Sequence, residues 1–181
     1  MASGTEERSD AWLVRAAHDG DLGAFGVLVR RHQDRVYRVC LRMLGDVPEA
    51  EDATQDVLVR AWRPLDRYRG DAALSTWLYR LTLNRCIDLI RGRRQLEDLS
   101  DDLADPGDQP DELVEASQLS QVLGEAVQAL TFEQRAAFVL RYSEGRSYRE
   151  IAGVLGVSEA AVKSRLNRAR TELMKAMGAW V

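Results

Sequence analysis

The stretch that most restricts the fold runs from Ser147 to Lys175, and it predicts two helices joined by a tight turn. Ser147 and Glu150 match the capping box that opens a helix, and Gly156 stands where the residue after a helix turns left-handed. Apolar residues then recur at helical spacing in the second segment, at Val162, Leu166 and Ala169. The pattern predicts a helix-turn-helix, although an ordinary helical hairpin with a solvated basic face would show the same spacing.

The second of these helices has a polar and mostly basic face opposite its apolar stripe. That face carries Lys163, Arg165, Asn167, Arg168 and Arg170. Lysine, arginine and asparagine side chains hydrogen-bond to base edges and phosphates, so the helix has the side chains of a major-groove reader.

Composition limits the class of protein. The chain has 181 residues, of which 30% are charged and 45% hydrophobic, as in soluble globular proteins of one domain or two small ones. It contains no apolar run near the ~18 residues of a membrane span, and its polar start does not resemble a signal peptide. Cys40 and Cys86 are isolated and only two histidines occur. We therefore expect reduced buried thiols in a cytoplasmic protein, without a metal site or a cofactor.

The net charge of −4 is distributed very unevenly. Five arginines and one acid lie between Ser75 and Arg94, and five basic residues and two acids lie between Ser158 and Lys175. Between them, residues 95–115 contain nine acids and no basic residue. A segment of this composition favours an extended linker between two basic modules.

Helical spacing covers most of the remaining chain, and no alternating strand pattern of any length occurs. Caps and apolar seams predict helices at 10–17, from Asp21 to about Gly45, from Asp46 to Trp62, at 75–91, at 112–130 and from Thr131 to Tyr142. The sequence therefore predicts an all-α fold of two small helical domains joined by an acidic flexible linker. Their expected bounds are 10–94 for the first domain, 95–112 for the linker and 113–178 for the second domain, which contains the helix-turn-helix.

The predicted helix at 75–91 has a polar face with its own chemistry. Arg80, Asn84, Asp88 and Arg91 recur on this face at four, four and three residues. This combination of arginines, an amide and nearby aromatic rings suits the binding of an unstacked base. Aromatic rings stack on bases, and the Asn side chain both donates and accepts hydrogen bonds. A solvated face beside core aromatics remains the simpler alternative.

Three segments together resemble one protein family. They read DVPEAEDATQDVLVRAW, YRGDAALSTWLYRLTLNRCIDLIRGRR and SYREIAGVLGVSEAAVKSRLNRAR. In this order and spacing the chain resembles extracytoplasmic-function sigma factors, the small two-domain initiation subunits of bacterial RNA polymerase, over roughly residues 21–175. The resemblance implies a factor that binds core RNA polymerase and directs it to promoters with minus-ten and minus-thirty-five elements.

The resemblance also implies a role for each segment. The acidic helix would dock on the polymerase through Glu51, Asp52, Gln55 and Asp56. The minus-ten set would comprise Tyr68, Arg69, Gly70, Asp71, Ser75, Thr76, Arg80 and Asn84. The minus-thirty-five set would comprise Lys163, Ser164, Arg165, Asn167, Arg168 and Arg170. Many family members carry arginine at the position of Lys163, and lysine cannot make the same bidentate contact with guanine.

The expected partners are core RNA polymerase, promoter DNA and an anti-sigma factor, with no small-molecule substrate and no direct membrane insertion. A helix-turn-helix regulator that works without polymerase is the nearest alternative, but it has no use for the acidic helix. An enzyme acting on nucleic acid is a further alternative, and the sequence lacks the motifs for it, including a P-loop and zinc-ligand spacing. We therefore expect no catalytic residues.

Overall fold

A computed structural model describes residues 8–62, 73–99 and 115–178, and these ranges contain eight α-helices and no strand. The helices are α1 (Asp10–His18), α2 (Leu22–Leu44), α3 (Val47–Trp62), α4 (Leu74–Leu99), α5 (Glu115–Ala129), α6 (Phe132–Tyr142), α7 (Tyr148–Leu155) and α8 (Glu159–Gly178). Helices α1–α4 form the N-terminal domain, and helices α5–α8 form the C-terminal domain. The predicted all-α fold is confirmed.

The N-terminal domain is built around the long helix α2. The Asp21 carboxylate accepts hydrogen bonds from the amides of Gly23 and Ala24 and begins the helix. Gly45 ends it with φ of +76°, a left-handed conformation that glycine adopts without strain. Most of the apolar seam predicted for this helix is buried, including Val36 and Val39, whereas Leu22 at its start is 71% exposed. Helix α2 packs against α1, α3 and α4. It therefore positions α3 and α4, the two helices that carry candidate functional residues.

The C-terminal domain contains the predicted helix-turn-helix. Both predicted capping boxes are present, Thr131 with Gln134 at the start of α6 and Ser147 with Glu150 at the start of α7. Gly156 has φ of +66° and ends α7 as expected. The apolar stripe of α8 faces the core, where Val162, Leu166 and Ala169 have no exposed surface. The stripe fixes which side of α8 remains available to a partner.

Helix α4 is longer than the sequence predicted. It continues to Leu99, whereas the expected helix ended near Arg91 and the expected linker began at residue 95. Arg93 explains part of the extension, because its guanidinium pairs with the Glu49 carboxylate at 2.7 Å and donates to the carbonyl of Leu44 at 3.4 Å. These contacts hold the end of α4 against the start of α3. Gly92 weakens the helix but does not end it, and no proline follows until residue 106.

The two domains share one hydrophobic cluster. Val36 and Val39 of α2 and Tyr79 of α4 belong to the same buried cluster as Leu140 of α6 and Ile151 of α7. Each of these five residues is 1% exposed or less. Helix α2 packs on α5 and α6, and α4 packs on α7, so this cluster runs across both domains.

A buried histidine fastens α1 to α2. His32 is 4% exposed, and its Nε2 lies 2.9 Å from the Asp10 carboxylate, which also accepts a hydrogen bond from Arg31. The other ring nitrogen, Nδ1, is buried without a hydrogen-bond partner in the described part of the chain. A proton on Nδ1 would be desolvated with nothing to accept it. Burial accordingly lowers the pKa of His32 below 6.5, in spite of the nearby Asp10 carboxylate.

We predict that this histidine makes the fold sensitive to mild acid. Because the pKa of His32 is lower in the folded protein than in the unfolded chain, the unfolded chain binds more protons as the pH falls through about 6.5. The wild-type protein should therefore lose stability between pH 7 and pH 5 faster than the His32→Gln variant. Denaturant unfolding at pH 7, 6 and 5 measures the difference. The exposed His18 provides the control, since His18→Gln should follow the wild-type curve, and parallel curves for all three proteins would refute the assignment.

Candidate functional site

Helix α8 presents the polar face that the sequence predicted. The Ser158 hydroxyl caps the helix by accepting a hydrogen bond from the amide of Ala161 at 3.2 Å. Lys163, Ser164, Asn167, Arg168 and Arg170 are exposed, and Arg165 is half-buried. Five of the six candidate residues for the minus-thirty-five element therefore point into solvent from one rigid helix, and Arg165 lies at the edge of that face.

Arg170 has a partner that sequence reasoning missed. Its Nε donates a hydrogen bond to the Tyr142 hydroxyl at 2.7 Å, and its guanidinium lies 5.7 Å from the centre of the Tyr142 ring. The hydrogen bond to Tyr142 raises the pKa of Arg170. Tyr142 lies at the end of α6, and no spacing in the sequence relates it to α8. The contact holds Arg170 in place on the surface of the C-terminal domain.

Helix α3 carries the acidic face proposed for polymerase docking. Glu51, Asp52 and Gln55 are exposed, whereas Asp56 is half-buried. The Asp56 carboxylate pairs with Arg85 of α4 at 2.7 Å and with Arg60 at 3.2 Å. Asp56 therefore also holds α3 against α4, a structural role that the sequence did not reveal.

A groove lies beside this acidic face. It has a volume of about 330 Å³ and is lined by Glu51, Thr54 and Gln55 of α3 together with Gln33, Asp34 and Tyr37 of α2. The last three residues were not among the sequence-predicted candidates. Helical spacing would have shown that they share a face of α2, but not that this face lies next to α3.

Helix α4 carries the described part of the minus-ten set. Arg80 and Asn84 are exposed, as are Asp88 and Arg91 on the same face, while Ser75 and Thr76 are half-buried. The other predicted members, Tyr68, Arg69, Gly70 and Asp71, lie outside the described residues. The polar face predicted for this helix is therefore present over the described part of the chain.

The aromatic residues of α4 belong to the core rather than to this polar face. Tyr79 is 1% exposed, and its hydroxyl donates a hydrogen bond to Glu144 at 2.8 Å. Burial and this hydrogen bond raise the pKa of Tyr79 to about 12, so the phenol stays protonated and continues to donate. Trp77 is half-buried against the cluster formed by α1–α4. Tyr79 is therefore not available to stack on a base in this arrangement.

Arg80 connects the polar face of α4 to the C-terminal domain. Its Nε donates to the backbone carbonyl of Gly153 in α7 at 3.1 Å, and its terminal Nη2 donates to the same oxygen. Arg80, a candidate for the minus-ten element, is therefore hydrogen-bonded to α7, the helix that precedes α8.

The other sequence-based expectations concern metals, membranes and thiols. Within residues 8–62, 73–99 and 115–178, no group of histidine, cysteine and acidic residues could hold a metal ion. None of the helices in these ranges combines the length and apolar character needed to cross a membrane. Cys40 and Cys86 are both buried and free. Hydrogen bonding to Cys40, together with burial, raises the pKa of the Cys86 thiol, which therefore stays protonated.

An all-α chain with a helix-turn-helix and exposed polar faces on its other helices has the features of a DNA-binding protein. Two family models match it: Sigma-70 region 2 over residues 28–95, and Sigma-70, region 4 over residues 120–173. The first match contains α3 and nearly all of α4, and the second contains α6, α7 and most of α8.

Similar proteins extend the match to nearly the whole chain. The ECF RNA polymerase sigma factor SigM of Mycobacterium tuberculosis is 37% identical over 180 residues, which cover 97% of this chain and 88% of that protein. The ECF RNA polymerase sigma-E factor of Escherichia coli is 33% identical over 180 residues, which cover 92% of this chain and 93% of that protein. The chain belongs to the extracytoplasmic-function family of RNA polymerase sigma factors. It directs RNA polymerase to promoters and is a transcription initiation factor.

Solved structures show the same arrangement of helices. CnrH, in complex with the cytosolic domain of CnrY, superposes with a TM-score of 0.73 at 29% identity, covering 94% of this chain and 97% of that chain. The sigma factor RpoE of Bartonella quintana, in complex with the anti-sigma factor NepR, has a TM-score of 0.69 at 25% identity. The match covers 85% of this chain and 96% of that chain.

Proposed function

We propose that this sigma factor works in the cytoplasm as an adaptor between core RNA polymerase and two promoter elements, without a catalytic centre of its own. The observation that carries the proposal is that α3, α4 and α8 present three separate polar faces on one chain. We assign polymerase docking and the minus-ten element to a domain of residues 10–94. The minus-thirty-five element is assigned to residues 113–178, with residues 95–112 as the linker. Transcription in vitro from a fragmented genome with core polymerase tests the whole proposal and maps the promoters.

Polymerase docking is assigned to the outer face of α3. Glu51, Asp52 and Gln55 are exposed there, and the neighbouring groove adds Gln33 and Tyr37. The opposite side of α3 is core, since Ala50, Ala53 and Val57 are 1% exposed or less. A partner surface that carries basic residues would complement the carboxylates and the amide.

We predict that Asp52→Arg combined with Gln55→Ala weakens the binding of core polymerase by roughly a hundredfold, because it reverses one interface charge and removes one hydrogen-bonding group. Both side chains are exposed, so the unfolding temperature should not change. Calorimetric titration at moderate salt measures the affinity. Asp19→Arg, an equal charge reversal at the exposed turn between α1 and α2, is the matched control. Wild-type affinity of the double variant would remove the docking assignment.

Capture of a minus-ten base is assigned to the polar face of α4. Asn84 lies at the centre of that face, four residues from Arg80 and from Asp88. Its amide can both donate to and accept from the edge of an unstacked base. Arg80 and Arg91 supply positive charge on either side for the phosphates of the strand.

We predict that Asn84→Ala impairs formation of the open complex by about three- to tenfold, the effect of losing one or two ordinary hydrogen bonds. Binding to the closed duplex should change little, since the base is inaccessible until the strands separate. Permanganate footprinting on a duplex promoter and on the same promoter with a pre-melted bubble separates the two steps. An equal defect on both templates at saturating protein would argue for a role other than melting.

Reading of the minus-thirty-five element is assigned to the exposed face of α8. Lys163, Ser164 and Asn167 lie near the beginning of the helix, where helix-turn-helix proteins contact base edges. Arg170 lies further along and is fixed by Tyr142. This placement favours base contacts for the first group and a phosphate contact for Arg170.

We predict that Lys163→Ala and Asn167→Ala each cost about 1–3 kcal/mol on the preferred promoter and relax selectivity at one base pair. Arg170→Ala should instead weaken binding to all sequences about equally. It should also reduce the slope of log affinity against log salt concentration by about one unit. Selection from a library of minus-thirty-five sequences, with each variant in the polymerase holoenzyme, measures both effects. If Lys163→Ala and Asn167→Ala both keep the wild-type base preference, a different face of α8 reads the DNA.

An anti-sigma factor is the remaining partner that we assign. The support is that two structures similar to this chain are complexes: CnrH with CnrY, and RpoE with the anti-sigma factor NepR. Both cover most of this chain, so a partner could use the same helices here. Small-molecule substrates and direct insertion into a membrane have no part in the proposal.

A further inference from the structure

Three arginine side chains surround one pocket near the end of α4. The pocket has a volume of about 210 Å³. It is lined by Leu44 of α2, by Ile90, Arg93 and Arg94 of α4, by Gln128 of α5 and by Arg135 of α6. None of these lining residues is acidic. Three positive charges therefore converge on a small space whose own walls supply no negative charge.

Arg135 is held in place by neutral groups. Its Nη1 donates hydrogen bonds to the carbonyl of Met43 and to Oε1 of Gln128, both at 2.5 Å. Its Nη2 donates to the carbonyls of Gln128 and Leu130. Its Nε is buried without a hydrogen-bond partner in the described part of the chain. These carbonyls fix the orientation of the guanidinium but leave its positive charge unbalanced.

The other two arginines differ in how well their charges are balanced. Arg93 pairs with the Glu49 carboxylate at 2.7 Å, whereas Arg94 is exposed and forms no ion pair with another described residue. Burial lowers the pKa of Arg135, and repulsion from Arg93 and Arg94 lowers it further. The three charges are therefore close enough to repel one another. Three guanidinium groups and one carboxylate leave an excess of two positive charges.

The chemistry of the pocket matches a phosphate-bearing anion. Guanidinium groups donate paired hydrogen bonds to phosphate oxygens, and they keep their charge at any physiological pH. A volume of about 210 Å³ corresponds to about seven water molecules at about 30 Å³ each. This is room for a diphosphate group, but it is below the roughly 300–1,000 Å³ of pockets that enclose a whole drug-sized ligand.

We propose that Arg93, Arg94 and Arg135 form a binding site for the diphosphate group of a small phosphorylated molecule. A diphosphate concentrates its negative charge in one compact group, which balances the excess positive charge of the pocket. The pocket is a recess between helices, so a terminal group can enter it more easily than the backbone of a DNA duplex can. None of its lining residues belongs to the sets assigned to polymerase or promoter contacts. The site is therefore an addition to the proposed function.

The chain itself supplies one competing anion. Nine acidic residues lie between residues 95 and 115, directly after Arg94 in the sequence. Each carboxylate carries a single charge and has two oxygens, whereas a diphosphate offers more of both within one group. We therefore expect a diphosphate to bind in preference to these carboxylates at moderate salt.

Calorimetric titration of the full-length protein with inorganic pyrophosphate, without divalent cations, tests the proposal. We expect one pyrophosphate to bind per chain. Arg94→Gln should weaken this binding at least tenfold, because it removes one charged hydrogen-bond donor. Arg94 is exposed, so the variant should fold normally, which thermal unfolding would verify. Arg15→Gln removes the same charge from an exposed position of α1 and should bind like the wild type. Equal affinities of the wild type and Arg94→Gln would overturn the site.

A second measurement locates the bound anion. The NMR resonance of the Arg135 Nε–H group should shift on addition of pyrophosphate, because the anion changes the field at the buried guanidinium. Citrate is the control, since it carries several negative charges without phosphorus. Equal binding of citrate, or an unchanged Arg135 resonance at saturating pyrophosphate, would refute the assignment to a diphosphate.

Two further outcomes would replace the proposed occupant. If pyrophosphate bound only to the Glu97→Gln and Asp98→Asn double variant, the carboxylates of the chain would be the natural partners of the three arginines. If a duplex oligonucleotide displaced pyrophosphate from the wild type, and Arg94→Gln weakened binding of the duplex equally, the pocket would belong to a DNA-backbone site. Either result would overturn the proposal.

Discussion

Burial of helix α2 on more than one side is the constraint on which the rest of the structure depends. Towards its own domain it packs on α1, α3 and α4, and towards the C-terminal domain it packs on α5 and α6. Val39 and Cys40 have no exposed surface, and they belong to a cluster that contains residues of both domains. A helix buried in this way positions the acidic face of α3, the polar face of α4 and the helix-turn-helix relative to one another.

The parts of the fold that could be predicted from the sequence are those with local causes. Capping boxes, left-handed glycines and apolar stripes involve residues within a few positions of one another, so α6, α7 and the start of α8 follow from the sequence almost residue by residue. The exposed candidates on α3 and α8 follow for the same reason, since a helix with one buried stripe must expose its other side. The family resemblance added roles that periodicity alone could not supply.

The features that the sequence could not predict depend on contacts between distant residues. Helix α4 passes its expected end because Arg93 reaches Glu49, 44 positions earlier. Tyr79 cannot stack on a base because it is buried, and its hydroxyl donates a hydrogen bond to Glu144, 65 positions later. Arg170 is oriented by Tyr142 at a separation of 28. In each case a charged or hydroxyl group finds its partner only after the helices have packed, and no periodic signal records the pairing.

The seam where the C-terminal domain packs on the N-terminal domain is partly polar. A seam made only of leucine and valine would expose a large apolar surface whenever the domains separated, and such surfaces promote aggregation. Here Glu144, Arg35, Arg38, Arg80 and Arg135 interrupt the apolar cluster with groups that water can solvate after separation. Most of their polar atoms have backbone or carboxylate partners, although Nε of Arg135 is buried without one in the described part of the chain. The same charged groups therefore give the seam its specificity and limit the net stability that its packing contributes.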